Sequence, residues 1–208
     1  AGAAVLEAFF KNAPEARQRS MAALALSRGR DVEYGVAFAL ALSGDSRDSS
    51  RSQALTDDLE KRFPEDTFVK FSYLPALRAL QALNHGRPSS AIELLQIAAP
   101  YELGAPASTQ FGLFGALYPV YVRGEAYLAA HQGVEAAAAF QKILDNHGIV
   151  FSDPIGALAR LQLGRALALS SDKTKAKTAY QDFLTLWKDA DPDIPILKEA
   201  KAEYAKLQ

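Results

Sequence analysis

Side chains that commonly carry chemistry are few in this chain, and their spacing does not suit it. The three histidines, His85, His131 and His147, each stand alone. None has a second histidine or a carboxylate at metal spacing such as HExxH. Each falls at an expected turn or helix end, where a cationic side chain answers the partial negative charge of a helix C-terminus. The absence of cysteine removes disulfides, thiolate metal sites and a cysteine nucleophile. The acid pairs Asp57-Asp58 and Glu65-Asp66 have the residue types of general acid–base catalysis. Neighbouring carboxylates on a helix surface are far more often solvated. No GxxxxGK[ST] loop, GxGxxG turn or GxSxG elbow occurs. Lysines 173, 175, 177, 198, 201 and 206 gather late in the chain, but over two expected helices and among acids, as a solvated face does. What remains for such a chain is recognition. No catalytic residue, metal ligand or cofactor is expected.

Composition points the same way. The chain has 208 residues, a net charge of -1 and 49% apolar residues, enough to bury a sizeable core. A charge near zero argues against a nucleic-acid partner, which needs a basic face to displace counterions. It also offers no polybasic signal for an anionic membrane. No apolar run approaches the roughly 20 residues of a membrane span. The opening AGAAVLEAFF is too short for a signal peptide and lacks its basic flank. It reads as a helix, and the natural protein is expected to continue upstream.

Positioning of recognition side chains falls to a repeat. YVRGEAYLAA followed by VEAAAAFQKIL matches LQLGRALALS followed by TKAKTAYQDFL. Gly124 aligns with Gly164, Ala136 with Ala176 and Phe140 with Tyr180, each pair 40 apart (164 − 124 = 40). Upstream, Ala79 and Ala91 take the places of Gly124 and Ala136, each 45 earlier (124 − 79 = 45). Small residues let two antiparallel helices approach to about 8–10 Å, and the aromatic is expected to fill the wedge between one unit and the next. Two more degenerate units precede these. The expected units are about 1–29, 30–71, 72–116, 117–156 and 157–190, with a capping helix at about 194–207, forming one domain. Ser152-Asp153-Pro154 reads as a helix cap followed by proline. Pro75 and Pro119 fall near helix starts. Two linkers are long, and the longer carries Phe111 and Phe114, which are expected to fold back onto the domain or to meet a partner.

Gly124, Tyr127, Ala136 and Phe140, and again Gly164, Leu167, Ala176 and Tyr180, resemble the tetratricopeptide (TPR) repeat. The resemblance implies an all-α, right-handed α-α superhelix of about five helix pairs plus a C-terminal helix. It implies an inner groove lined by first helices, here Tyr34, Phe38, Tyr73, Leu80, Tyr118, Tyr121, Glu125, Leu161 and Arg165. A protein or peptide would lie there, unless these tyrosines merely pack between neighbouring repeats. The family's carboxylate clamp is not matched, since Asn84 is the only groove asparagine beside Arg165 and no lysine joins them. RDVEYGVAFALALSGD, FPEDT, AIELLQIAAPYELG, LYPVYVRGEAYL and LWKDADPDIPILKEAKAEYAKL are similar to the C-terminal TPR region of bacterial multidomain serine/threonine protein kinases. That likeness implies the sensor or scaffold half of a signalling protein, itself without kinase motifs. It implies the extracytoplasmic side if the parent spans a membrane, and the cytoplasm otherwise. The alternative is a structural spacer or self-association module without a ligand.

Overall fold

The computed structural model describes residues 1–104, 115 and 117–207. Phe111 and Phe114 lie outside the described residues. The fold is all-α, and no strand occurs among the described residues. Its α-helices are α1 (Gly2–Phe9), α2 (Ala13–Leu26), α3 (Arg30–Ser43), α4 (Ser46–Arg62), α5 (Leu74–Asn84) and α6 (Pro88–Leu94). They continue with α7 (Tyr118–Ala129), α8 (Gly133–Asp145), α9 (His147–Val150), α10 (Ile155–Leu169), α11 (Lys173–Leu186) and α12 (Pro195–Ala205). None is long and apolar enough to cross a membrane.

Short turns force consecutive helices into antiparallel pairs. Four of these turns share one pattern of backbone hydrogen bonds. After α7, the His131 N–H donates to the Leu128 carbonyl at 3.0 Å and the Gln132 N–H to the Tyr127 carbonyl at 2.8 Å. Lys11 and Asn12 do the same after α1, Gly86 and Arg87 after α5, and Ser171 and Asp172 after α10. This is the Schellman arrangement, which satisfies the last carbonyls of a helix. The residue at its centre has positive φ each time, at Lys11, Gly86, His131 and Ser171. The last three are 45 and 40 apart (131 − 86 = 45; 171 − 131 = 40), the offsets of the sequence repeat. Four different residue types fill the position, so only the backbone displays the likeness.

A side chain at positive φ is strained by about 1–2 kcal/mol. His131 stands at φ 58° with its side chain in solvent. His131→Gly is therefore expected to stabilise the fold by about 0.5–1 kcal/mol, less than the strain itself because glycine loses more backbone entropy. Urea denaturation checks this, and a loss of stability would contradict it.

The pairs stack in chain order. α3 packs on α4 and α5, α5 on α6 and α7, α7 on α8 and α10, and α10 on α8 and α11. The small residues expected at crossings, Ala79, Ala91, Ala136 and Ala176, are fully buried. A Cβ on Gly124 would lie 2.5 Å from the Phe140 ring, and one on Gly164 would lie 2.8 Å from the Tyr180 ring. Phe140 and Tyr180 each cover the glycine of their own pair, because only a missing Cβ lets a six-membered ring approach the helix axis so closely. Tyr180 also reaches onward to α12, where its hydroxyl donates to Glu203 at 2.7 Å.

Charge pairs tie neighbouring units. Arg17 on α2 donates to both carboxylate oxygens of Asp48 on α4, at 2.7–3.0 Å, and the Asp48 side chain is wholly buried. Glu102, also buried, pairs with Arg123 on α7 and with Lys142 on α8, the latter at 2.6 Å.

Some boundaries differ from expectation. The helix leading into α5 begins at Thr67, not at about residue 72, and widens to a π-helix over Val69–Tyr73. Pro75 is the second residue of α5, as expected, but the helical run continues upstream of it through the π turn. Proline has no N–H to give and its ring crowds the preceding turn, and the wide turn, with the Leu74 N–H reaching the Val69 carbonyl, accommodates both. α6 is short and tightens into a 3₁₀ turn over Gln96–Tyr101, where Pro100 sits. Before α10, in the expected Ser152-Asp153-Pro154 cap, the Asp153 carboxylate accepts the Ile155 N–H at 3.1 Å. The linker between the last two pairs forms α9.

Candidate functional site

Most of the expected groove is core. Tyr34, Phe38 and Leu161 are fully buried, and Tyr73, Leu80, Tyr118 and Tyr121 nearly so. The reason is α1. Its Phe9 stands edge-on to Tyr118 and Tyr121, with ring centroids at 5.5 and 5.3 Å, and tilts against Phe38 at 5.7 Å. Tyr34 stacks flat on Tyr73 at 3.7 Å. The hydroxyls turn inward as well. Tyr73 donates to Asp31 at 3.0 Å, Tyr118 donates to Asp153 at 2.9 Å, and Tyr121 accepts from the Gln162 amide at 3.2 Å. Large rings held this way stabilise the fold by contact and by area removed from water. They offer no free surface, so as an open groove this set is corrected.

The two polar members are also engaged. Arg165 holds Glu203 of α12 with two bonds, at 2.8 and 2.9 Å, and reaches Glu199 at 3.3 Å. Burial works to raise the Glu203 carboxyl, but hydrogen bonds from Arg165 and Tyr180 outweigh it and hold the group below the ordinary range. Glu125 accepts from Gln162, and burial raises its carboxyl against the pull of Arg165. Leu80, Tyr121, Glu125 and Arg165 share a recess of about 300 Å³ with Lys11 and Asn84. It is the remnant of the expected groove.

The open site lies elsewhere, where the two ends of the chain come together. The Phe10 ring meets Trp187, just past α11, at 4.9 Å, and Lys11 reaches Glu199 at 2.5 Å. Between α1, the α8–α9 corner, the start of α10 and the segment from α11 to α12 is a cleft of about 660 Å³. That volume suits a bound ligand or a few side chains of a partner. Its floor is Phe10, Ile143, Leu144, Val150, Trp187 and Ile194. Leu6, Phe151 and Leu186 stand on its rim with 39%, 80% and 58% of their surface in water. Isolated exposed apolar residues are ordinary, whereas several around one concavity mark an interaction surface. Phe151 also stands at φ 52° and ψ -116°, a conformation L-residues avoid. Strain of about 1–3 kcal/mol tends to persist where it serves a site.

Polar groups on the cleft are His147, Ser152, Asp153, Arg160 and Asp189. Of the other histidines, His85 closes α5 with Nδ1 2.6 Å from the Gln81 carbonyl, and His131 lies in its turn. Asp153 faces the core side of the cleft. Burial raises its carboxyl to about 6, although the Ile155 N–H and the Tyr118 hydroxyl favour the charged form. An exposed aspartate titrates near 3.9. The folded chain thus holds this proton more tightly. The contribution favours folding fully below about pH 4 and is lost as pH rises through about 6. Asp153→Asn keeps groups that can accept from Ile155 and bond to Tyr118 without the buried charge. It is expected to be more stable than the natural chain at pH 7.5, by about 1–2 kcal/mol, and no more stable at pH 4. Urea titrations at the two pH values check this.

None of the cleft residues belonged to the expected groove. The signals that could have found them are the overlong linker NHGIVFSDP, whose Ile149, Val150 and Phe151 form an apolar run between Gly148 and Pro154, and the chain's single tryptophan, Trp187. Comparison of this chain with family models, with curated proteins and with solved structures returns no match.

Proposed function

We propose that the chain is a TPR-like right-handed helical-repeat module that binds a protein or peptide, and that it does so through the cleft between its two ends. The observation that carries this reading is the ring of exposed Leu6, Phe151 and Leu186 around an apolar floor. Covering them would remove apolar surface from water at roughly 25 cal/mol per Å², and an aromatic held in a strained backbone is a rigid anchor for a partner. Support for the repeat architecture comes from the four equivalent turns, the chain-order stacking and the glycine-on-aromatic contacts. In a larger parent the module would act as a sensor or scaffold, as its likeness to the repeat region of bacterial kinases suggests.

The test is selection of ten-residue peptides from a random displayed library on the intact chain. Enriched peptides should alter the emission of Trp187, which lines the cleft. Replacing Phe151 and Leu186 together by aspartate should weaken their binding at least about tenfold, since each lost apolar anchor is worth on the order of 1.5–3 kcal/mol. Both side chains already face water, so helicity should persist. Equal binding to the double variant would move the site elsewhere. No enrichment, together with concentration-dependent oligomers in light scattering, would favour the self-association module.

A further inference from the structure

We infer that the segment docking in this cleft is a peptide of another protein that carries an acidic side chain beside its apolar anchors, and that Arg160 receives it. The inference rests on the cleft reading and adds the chemistry of the occupant. Arg160 projects from the first half of α10 into the cleft lining. Among the described residues its one hydrogen bond is from Nη1 to the Gly156 carbonyl of its own helix, at 2.7 Å, and it forms no ion pair. The guanidinium has five N–H donors, so most of them are left to water.

The acids of the same cleft are already committed or turned away. Asp153 accepts from the Tyr118 hydroxyl and the Ile155 N–H. Asp189 is 88% exposed and lies 4.0 Å from its neighbour Lys188. Arg160 is thus the lining charge whose partner is missing. Elsewhere in this chain half-buried arginines are matched, Arg165 by Glu203 and Arg123 by Glu102.

An occupant covering Leu6, Phe151 and Leu186 would also take water from Arg160. Removing a charge from water is costly unless a hydrogen-bonded counter-charge replaces the solvent. A carboxylate does this with two parallel bonds, whereas an amide of the same shape supplies one neutral acceptor. A basic side chain would be repelled. The cleft should therefore select acid next to apolar, rather than apolar alone.

The experiment uses the peptides enriched on the intact chain, synthesised with their acidic residue and with glutamine or asparagine in its place. Their dissociation constants are measured by fluorescence anisotropy on the natural chain and on Arg160→Gln. The acidic peptide should bind the natural chain at least tenfold more tightly than its amide twin. Arg160→Gln should lose that advantage while binding the amide twin as the natural chain does. In a parallel selection on Arg160→Glu, peptides with lysine or arginine beside the same anchors should replace the acidic ones. Enriched peptides without acidic preference would overturn the role of Arg160 while leaving the cleft standing. Equal weakening of both twins by Arg160→Gln would also overturn it, showing that Arg160 merely supports the fold. If no peptide is enriched that the Phe151 and Leu186 variant loses, the cleft itself fails.

Discussion

Gly124→Leu is expected to destabilise the fold by about 3 kcal/mol, the upper part of the range for overpacking. Even the first added atom, Cβ, would sit 2.5–2.9 Å from three ring atoms of Phe140, which is itself fully buried and packed edge-to-face with Tyr121 at 5.6 Å. The ring cannot swing into water, so the helices α7 and α8 must part. Gly124→Ala should already be costly, and more so than Ala substitution of Gly148, where a Cβ meets nothing within 4 Å. The clash and the ring form one unit. Phe140→Ala alone should cost about 3–5 kcal/mol through the cavity it leaves. Combined with Gly124→Leu it should cost less than the sum by about 1–3 kcal/mol, because the added side chain occupies the vacated space. Urea denaturation of the two single variants and the double variant measures that coupling. Additive losses would show that position 124 does not face Phe140.

Arg165→Ala is expected to cost about 2–3 kcal/mol and to release α12 from the rest of the fold. Removing one member of a buried pair costs about 3–5 kcal/mol; the lower value applies here because the Glu203 side chain keeps a third of its surface in water. α12 packs only on α11 among its larger contacts, so its amides should lose hydrogen-exchange protection before those of α7 or α10. Glu203→Ala should be milder, since Arg165 still reaches Glu199 at 3.3 Å and Gln162 at 3.2 Å. The pH dependence follows from the depressed Glu203 carboxyl. A group held below its unfolded value, about 4.3 for glutamate, stabilises the fold above that pH and loses this contribution as pH falls through the folded value. The gap between the natural chain and Arg165→Ala should therefore narrow below about pH 4. A variant with unchanged stability and unchanged α12 protection would return Arg165 to a ligand-binding role.

The two variants probe different ranges of interaction. Gly124 meets a residue of the next helix, sixteen positions away (140 − 124 = 16). Arg165 meets one 38 positions away. Both differ in kind from the closure of the inner face, where Phe9 reaches Tyr118 across 109 positions (118 − 9 = 109). That closure also explains why the tyrosines expected to greet a partner are instead a core. Phe9 occupies the space beside Phe38, Tyr118 and Tyr121 that a guest would need.

The helix pairs, their turns near residues 44, 86, 131 and 171, and the burial of Ala79, Ala91, Ala136 and Ala176 were legible from the amino-acid order alone. They depend on residues a few turns apart, and a 40-residue offset records such contacts directly. Which face stays open was not legible. It depends on contacts such as that of Phe10 with Trp187, 177 positions apart (187 − 10 = 177), which no local spacing displays. Only when the stack is complete does Phe10 meet Trp187 and leave the cleft beneath Phe151 and Leu186. The conformation of Phe151, too, belongs to the assembled corner between α9 and α10, because local preference alone would not place an L-residue there.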